Sequence, residues 1–82
     1  MYELIYAPDA FRQLQKLPKE VQQRIITALE RCRIRPEHYL QRLVGNPHYR
    51  LRVGEYRIIV DINQGKLLIL VLTVGHRKNI YG

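Results

Sequence analysis

Apolar residues change their spacing along the chain, and each change marks an element. Tyr2-Glu3-Leu4-Ile5-Tyr6-Ala7 is short and rich in strand-forming residues, and it runs into Pro8-Asp9. That pattern predicts a first strand, with Asp9 as N-cap of the helix that follows. Ala10, Phe11, Leu14 and Leu17 recur at the spacing of one helical face until Pro18 interrupts them. Pro18 suits the first turn of a second helix, where Glu20 sits near the positive end and Val21, Ile25, Ala28, Leu29 and Cys32 form a continuous stripe. Arg31, Arg33 and Arg35 gather near its end, where cations complement the helix dipole as readily as they contact a nucleic acid. Pro36 marks the stop. Residues 37 to 47 read as a connector anchored by Leu40 and Leu43, with Gly45-Asn46-Pro47 as a turn.

Three strand-like runs follow, Tyr49 to Val53, Tyr56 to Ile62 and Leu67 to Val74, separated by Gly54-Glu55 and Asn63-Gln64-Gly65. The last is apolar on both faces, as befits a strand central to a sheet with helices over one side. The expected architecture is α+β: a two-helix hairpin packed on a small, mainly antiparallel four-stranded sheet in the order β-α-α-β-β-β, within a single domain spanning 1–82.

Gly54-Glu55 is a two-residue loop with glycine first, the chemistry of a tight type I′ or II′ hairpin, and such a loop fixes strand register. Val53 then lies opposite Tyr56, Arg52 opposite Arg57, Leu51 opposite Ile58, Arg50 opposite Ile59, Tyr49 opposite Val60 and His48 opposite Asp61. Opposed residues share a face. One face is thus Tyr49, Leu51, Val53, Tyr56, Ile58 and Val60, an apolar floor for the helices. The other carries His48, Arg50, Arg52 and Arg57. Like charges directly across a ladder destabilise a sheet, so folding alone gives no reason for this cluster, whereas a phosphate or an acidic partner would relieve it. The bland alternative is a splayed, solvated basic edge. Val74-Gly75-His76-Arg77-Lys78 adds an arginine, an imidazole and a lysine at the end of the last run, followed by Tyr81.

Charge sharpens that picture. The formal net charge is +7, from 14 Lys and Arg against 7 Asp and Glu, and most of the cations are arginine, the planar fork that pairs bidentately with phosphate. With 46% hydrophobic and 26% charged residues, the chain is a folded domain and not a basic disordered arm. At 82 residues its core is modest, so stability is expected to lean on a partner. The lone Cys32 cannot form an internal disulfide and suits a buried position in a reducing compartment. No run approaches the ~20 apolar residues of a membrane span, and a cytoplasmic protein without a membrane partner is expected. His38, His48 and His76 lack metal-ligand spacing, no phosphate-binding glycine loop is present, and no serine or cysteine has a convincing partner. Neither a metal nor another cofactor is expected.

Leu43-Val44-Gly45, Tyr49-Arg50-Leu51-Arg52-Val53-Gly54-Glu55-Tyr56-Arg57-Ile58-Ile59, then Val74-Gly75-His76-Arg77 and Tyr81, resemble the RelE/ParE superfamily of toxins from toxin–antitoxin systems, essentially end to end and most closely its RelE-type branch. The resemblance implies a RelE-like toxin of a type II system: a ribosome-dependent messenger-RNA endonuclease acting in the A site, silenced by a cognate antitoxin, and capable of joining a toxin–antitoxin heterotetramer. Its partners would be the antitoxin and a 70S-type ribosome carrying mRNA. Arg50 and Arg52 match the two basic residues after the family's tyrosine, Arg57 the arginine of its Tyr-Arg pair, and Arg77 the arginine after the last strand. Tyr81 falls near the catalytic tyrosine. The implied reaction is metal-independent: the RNA 2′-hydroxyl attacks the adjacent 3′-phosphate and leaves a 2′,3′-cyclic phosphate. Tyr81 or His76 would take the proton, Arg57 and Arg77 would stabilise the phosphorane, and Arg50, Arg52 and Lys78 would hold the RNA backbone. Two rival readings are a ParE-like inhibitor of DNA gyrase and a non-catalytic RNA-binding module.

Overall fold

The computed structural model describes residues 1–79. Along the chain it forms β1 (Glu3–Tyr6), α1 (Pro8–Gln15), α2 (Lys19–Cys32), α3 (Pro36–Tyr39), β2 (Gln41–Arg42), β3 (Tyr49–Val53), β4 (Tyr56–Asn63) and β5 (Leu68–His76). Among the described residues the strands make one five-stranded sheet, ordered β1-β5-β4-β3-β2. β1 runs parallel to β5, with Glu3 beside Leu68 and Tyr6 beside Val71, and every other neighbouring pair is antiparallel. The apolar last strand is therefore internal, as its pattern predicted.

The α+β class holds, while the strand count rises from four to five. The connector is the reason. Pro36 does not merely stop α2: it opens the one-turn α3, where its missing N–H is no loss. Gln41 and Arg42 then pair with Arg50 and Tyr49 as β2. Leu40 and Leu43 are buried, as anchors of that segment should be.

Two helix starts also differ. Ala7 caps α1 without a side-chain bond and Pro8 takes the first turn, so Asp9 lies inside the helix and pairs with Arg12. Proline's preset φ favours this start over an aspartate cap. Pro18 is itself the residue before α2, one position earlier than expected. The side chain of Gln22 closes the preceding turn, its Nε2 donating to the carbonyls of Leu17 (2.7 Å) and Gln15 (3.2 Å) left over at the end of α1.

The core lies between the helices and one sheet face. Ile25, Leu29 and Cys32 of α2 and Ala10 and Leu14 of α1 pack on Leu51, Ile58, Val60, Ile69, Val71 and Val74. Each fully buried aliphatic side chain contributes roughly 1.5–3 kcal/mol. A bulge keeps this floor apolar: Val60 pairs with Val71 but Ile59 pairs with Thr73, so Leu72 is the extra residue. The alternation shifts there by one, and Val71 and Val74 both reach the helices. The Val74 N–H beside the bulge donates to Gln13 Oε1 of α1 at 2.8 Å. On the opposite face Leu72 joins Leu43 and Ile59 in a small second cluster.

Candidate phosphate-binding site

The β3–β4 hairpin sets the site. Its register runs Tyr49–Val60, Arg50–Ile59, Leu51–Ile58, Arg52–Arg57 and Val53–Tyr56, the pairing expected from a two-residue loop. Gly54 has φ +58 while Glu55 does not enter the left-handed region, the type II′ pattern that calls for glycine first. Leu51, Ile58 and Val60 face the helices. Arg50, Arg52 and Arg57 are thereby committed to the open face, with Arg52 and Arg57 directly opposed. That opposition costs roughly 0.2–1 kcal/mol.

β5 completes the arrangement. Arg57 pairs with Gly75 and Tyr56 with His76, so the chain leaving the strand passes beside the hairpin turn. The Arg77 N–H donates to the Glu55 carbonyl at 2.8 Å. Arg52, Gly54, Arg57 and Arg77 together line a hollow of about 120 Å³. That volume admits a phosphate group, and guanidinium forks lining it suit the non-bridging oxygens.

Glu55 tethers the outer wall. Its Oε2 lies 3.2 Å from Arg77 Nε and 3.5 Å from His76 Nε2. The His76 ring stacks edge-on against Tyr56 at 5.6 Å, and its Nδ1 accepts the Lys78 N–H at 3.2 Å. An Nδ1 that accepts must hold a lone pair, which leaves the imidazole proton on Nε2, towards Glu55. Arg50 stands to one side, where its Nη2 donates to Gln41 Oε1 at 2.8 Å. Burial, and then the neighbouring charges of Arg52 and Arg57, push its pKa down. Arg50 and Arg52 border a second hollow with the segment from Glu37 to Gln41.

Of the residues singled out in the sequence, Arg52, Arg57 and Arg77 thus meet at one hollow, and Arg50 and His76 flank it. Lys78 is exposed and is not among the residues lining the hollow. His48 belongs to the Gly45-Asn46-Pro47 turn, its N–H donating to Asn46 Oδ1 at 2.8 Å. Tyr81 lies outside the described residues. Arg33 does helix-end work, bonding the Tyr2 carbonyl (2.9 Å) and Glu30 (2.8 Å). Sequence reasoning missed Glu55 as part of the site, although it is the one acid between Glu37 and Asp61.

Residues 4–81 match the family described as ParE toxin of type II toxin–antitoxin system, parDE. A RelE-like toxin protein of Escherichia coli is 29% identical over 80 residues, covering 94% of this chain and 84% of that protein. The toxin–antitoxin complex RelBE2 of Mycobacterium tuberculosis superposes with a TM-score of 0.82 at 24% identity, covering 93% of this chain and 98% of the other, which is a likeness of fold. The archaeal RelE–RelB complex of Pyrococcus horikoshii gives 0.81 at 26% identity, covering 96% and 98%. With nearly its whole length inside one family match and RelE folds superposing on its sheet and helices, the chain belongs to the ParE toxin family of type II toxin–antitoxin systems, within the RelE/ParE superfamily.

Proposed function

We propose that this toxin is a ribosome-dependent messenger-RNA endonuclease that cuts in the A site and stops translation. One observation carries the reading: Arg52, Arg57 and Arg77, from two adjacent strands and the segment after a third, line the same phosphate-sized hollow. A surface shaped only to bind a protein needs no such convergence of like charge. In the reaction the 2′-oxygen forms a bond to phosphorus, the bond to the 5′-oxygen breaks, and the products are a 2′,3′-cyclic phosphate and a 5′-hydroxyl. Arg57 and Arg77 stabilise the charge that develops on the phosphorane. Arg50 and Arg52 hold the backbone in line and hydrogen-bond the departing 5′-oxygen, which takes its proton from water.

Tyr81, the residue the family resemblance assigns to this step, takes the 2′-hydroxyl proton. His76 is the weaker candidate for that step, because its Nδ1 lone pair already accepts the Lys78 N–H and its Nε2 side faces Glu55. So spare an acid–base set leaves orientation of the RNA to the ribosome. A cognate antitoxin, acidic or amphipathic, silences the toxin by covering the helix hairpin or the sheet.

The ParE description of the matching family favours a second reading, in which the same fold traps DNA gyrase and leaves RNA intact. Primer extension on defined mRNA in a translation reaction, run beside a gyrase–DNA cleavage assay, separates the two. Cuts in A-site codons are expected. Intact mRNA with accumulated gyrase–DNA complexes would establish the rival.

A further inference from the structure

β2 is so short that it pairs only with Tyr49 and Arg50, and among the described residues it leaves Leu51 to Val53 of β3 as a free edge. Beside that edge, along α2 from Gln23 to Arg31, runs a groove of about 380 Å³ lined by Gln23, Arg24, Thr27, Arg31, Arg52 and Gly54, among others. It contains no carboxylate. Arg24 and Arg31 are seven residues apart on α2, two helical turns and about 10 Å along one side. The guanidinium of Arg24 lies against the hairpin turn: a Cβ at Gly54 would come within 3.1 Å of its Nη2. Among the described residues neither Arg24, Arg31 nor Arg52 has a carboxylate partner, although Glu30 is available on the same helix and pairs with Arg33. Gln23 and Thr27 add neutral hydrogen-bonding groups to the same wall.

Arg52 lines this groove and the phosphate-sized hollow alike, and Gly54 is the turn shared by both. We infer that the two form one track: a single RNA strand seated at Arg57 and Arg77 continues past Arg52, over the Gly54 turn, and lays its flanking phosphodiesters along Arg24 and Arg31. The groove is a second subsite for RNA backbone, blind to base sequence. Its cations stand at strand and helix positions set by the fold, and among the described residues Arg24, Arg31 and Arg52 are held in no ion pair that an RNA would have to displace. This inference rests on the proposal that the Arg52–Arg57–Arg77 hollow holds an RNA phosphate.

The test uses the full-length toxin and labelled oligouridylates of about four and about sixteen nucleotides, lengths that bracket known single-strand site sizes. Affinity is measured by fluorescence anisotropy over a range of salt. Arg24 and Arg31 are exposed, so R24A/R31A should fold, which circular dichroism checks. The variant is expected to lose about tenfold or more in affinity for the long oligomer, to bind the short one as before, and to lower the salt slope by about 1.4, the loss of two single-strand phosphate contacts. R24K/R31K should keep most of the slope.

If R24A/R31A binds both lengths normally while R57A/R77A weakens both, the track is wrong and the hollow stands. If R57A/R77A leaves both unchanged, the reading of the hollow itself fails. Equal weakening of both lengths by R24A/R31A would also overturn the track, since it would mean an effect on the hollow and no separate subsite. So would weakened polyglutamate binding with unchanged RNA binding, which would assign the groove to an acidic protein segment.

Discussion

Arg77 has little packing task that would explain its place: it is more than half exposed, and its pair with Glu55, at a comparable exposure, contributes at most about 1 kcal/mol. Arg77→Ala should therefore leave the melting temperature almost unchanged, yet lower A-site cleavage by about 10²–10³-fold, the effect of removing one donor from a developing oxyanion. A folded Arg77→Ala protein that still arrests growth would count against the site. Cys32 shows the opposite case, a residue whose chemistry is suppressed by its surroundings. It is fully buried, its thiol 3.3 Å from the Ala28 carbonyl, and burial pushes its pKa from 9.0 up to about 11. Burial, with Glu30 adding to it, also raises Tyr6. Between those two values the unfolded chain has lost the Cys32 proton while the folded chain keeps it, so stability is full below pH 9 and falls as pH climbs towards 11. Urea unfolding at stepped pH should show that decline, with Cys32→Ala removing a share of order 2 kcal/mol from it. Flat stability through that range would show that the thiol is not held protonated.

At the scale of elements, the bulge in β5 is the joint on which the apolar floor depends, and Gln13 holds it. Its Oε1 accepts the Val74 N–H at a place where the ladder is disturbed. Gln13→Ala would leave that partly buried donor unmatched and should cost about 1–3 kcal/mol in chemical denaturation without altering the arginine hollow. An unchanged midpoint would mean that water replaces the bond at no cost. The elements also show what a one-dimensional reading can reach. The hairpin register was legible because two residues, Gly54 and Glu55, dictate it locally, and the register in turn put Arg52 across from Arg57. Burial of β5 was legible from its apolar run. The bulge at Leu72, the contact of Gln13 and the two-residue β2 were not, because each depends on which strand arrives alongside. Arg24 and Arg31 carried no signal of a groove: nothing in α2 itself announces that β3 will pass beneath with a free edge. The Tyr81 assignment came from resemblance and stays with the proposed mechanism.

As a whole molecule the toxin is small, with a radius of gyration of 11.7 Å, and it keeps Phe11, Ile34, Val44 and Leu67 among its exposed apolar side chains. A partner that binds only the folded form stabilises it by mass action, about 2.7 kcal/mol at a concentration one hundred times the dissociation constant. The toxin alone should accordingly melt below its complex with the cognate antitoxin, measured by scanning calorimetry at matched concentrations. Equal melting temperatures would contradict a stabilising complex. The sheet order has a further consequence, for synthesis. Its interior strand, β5, is made after every element it binds, and β1 waits for a neighbour more than sixty residues downstream. Until residues 68 to 77 emerge, the nascent chain has a helix hairpin with only part of its floor and a β-hairpin without its third arginine. Closure is a late, long-range event. The sheet and the arginine hollow are thus completed together, by the last strand and the residue that follows it.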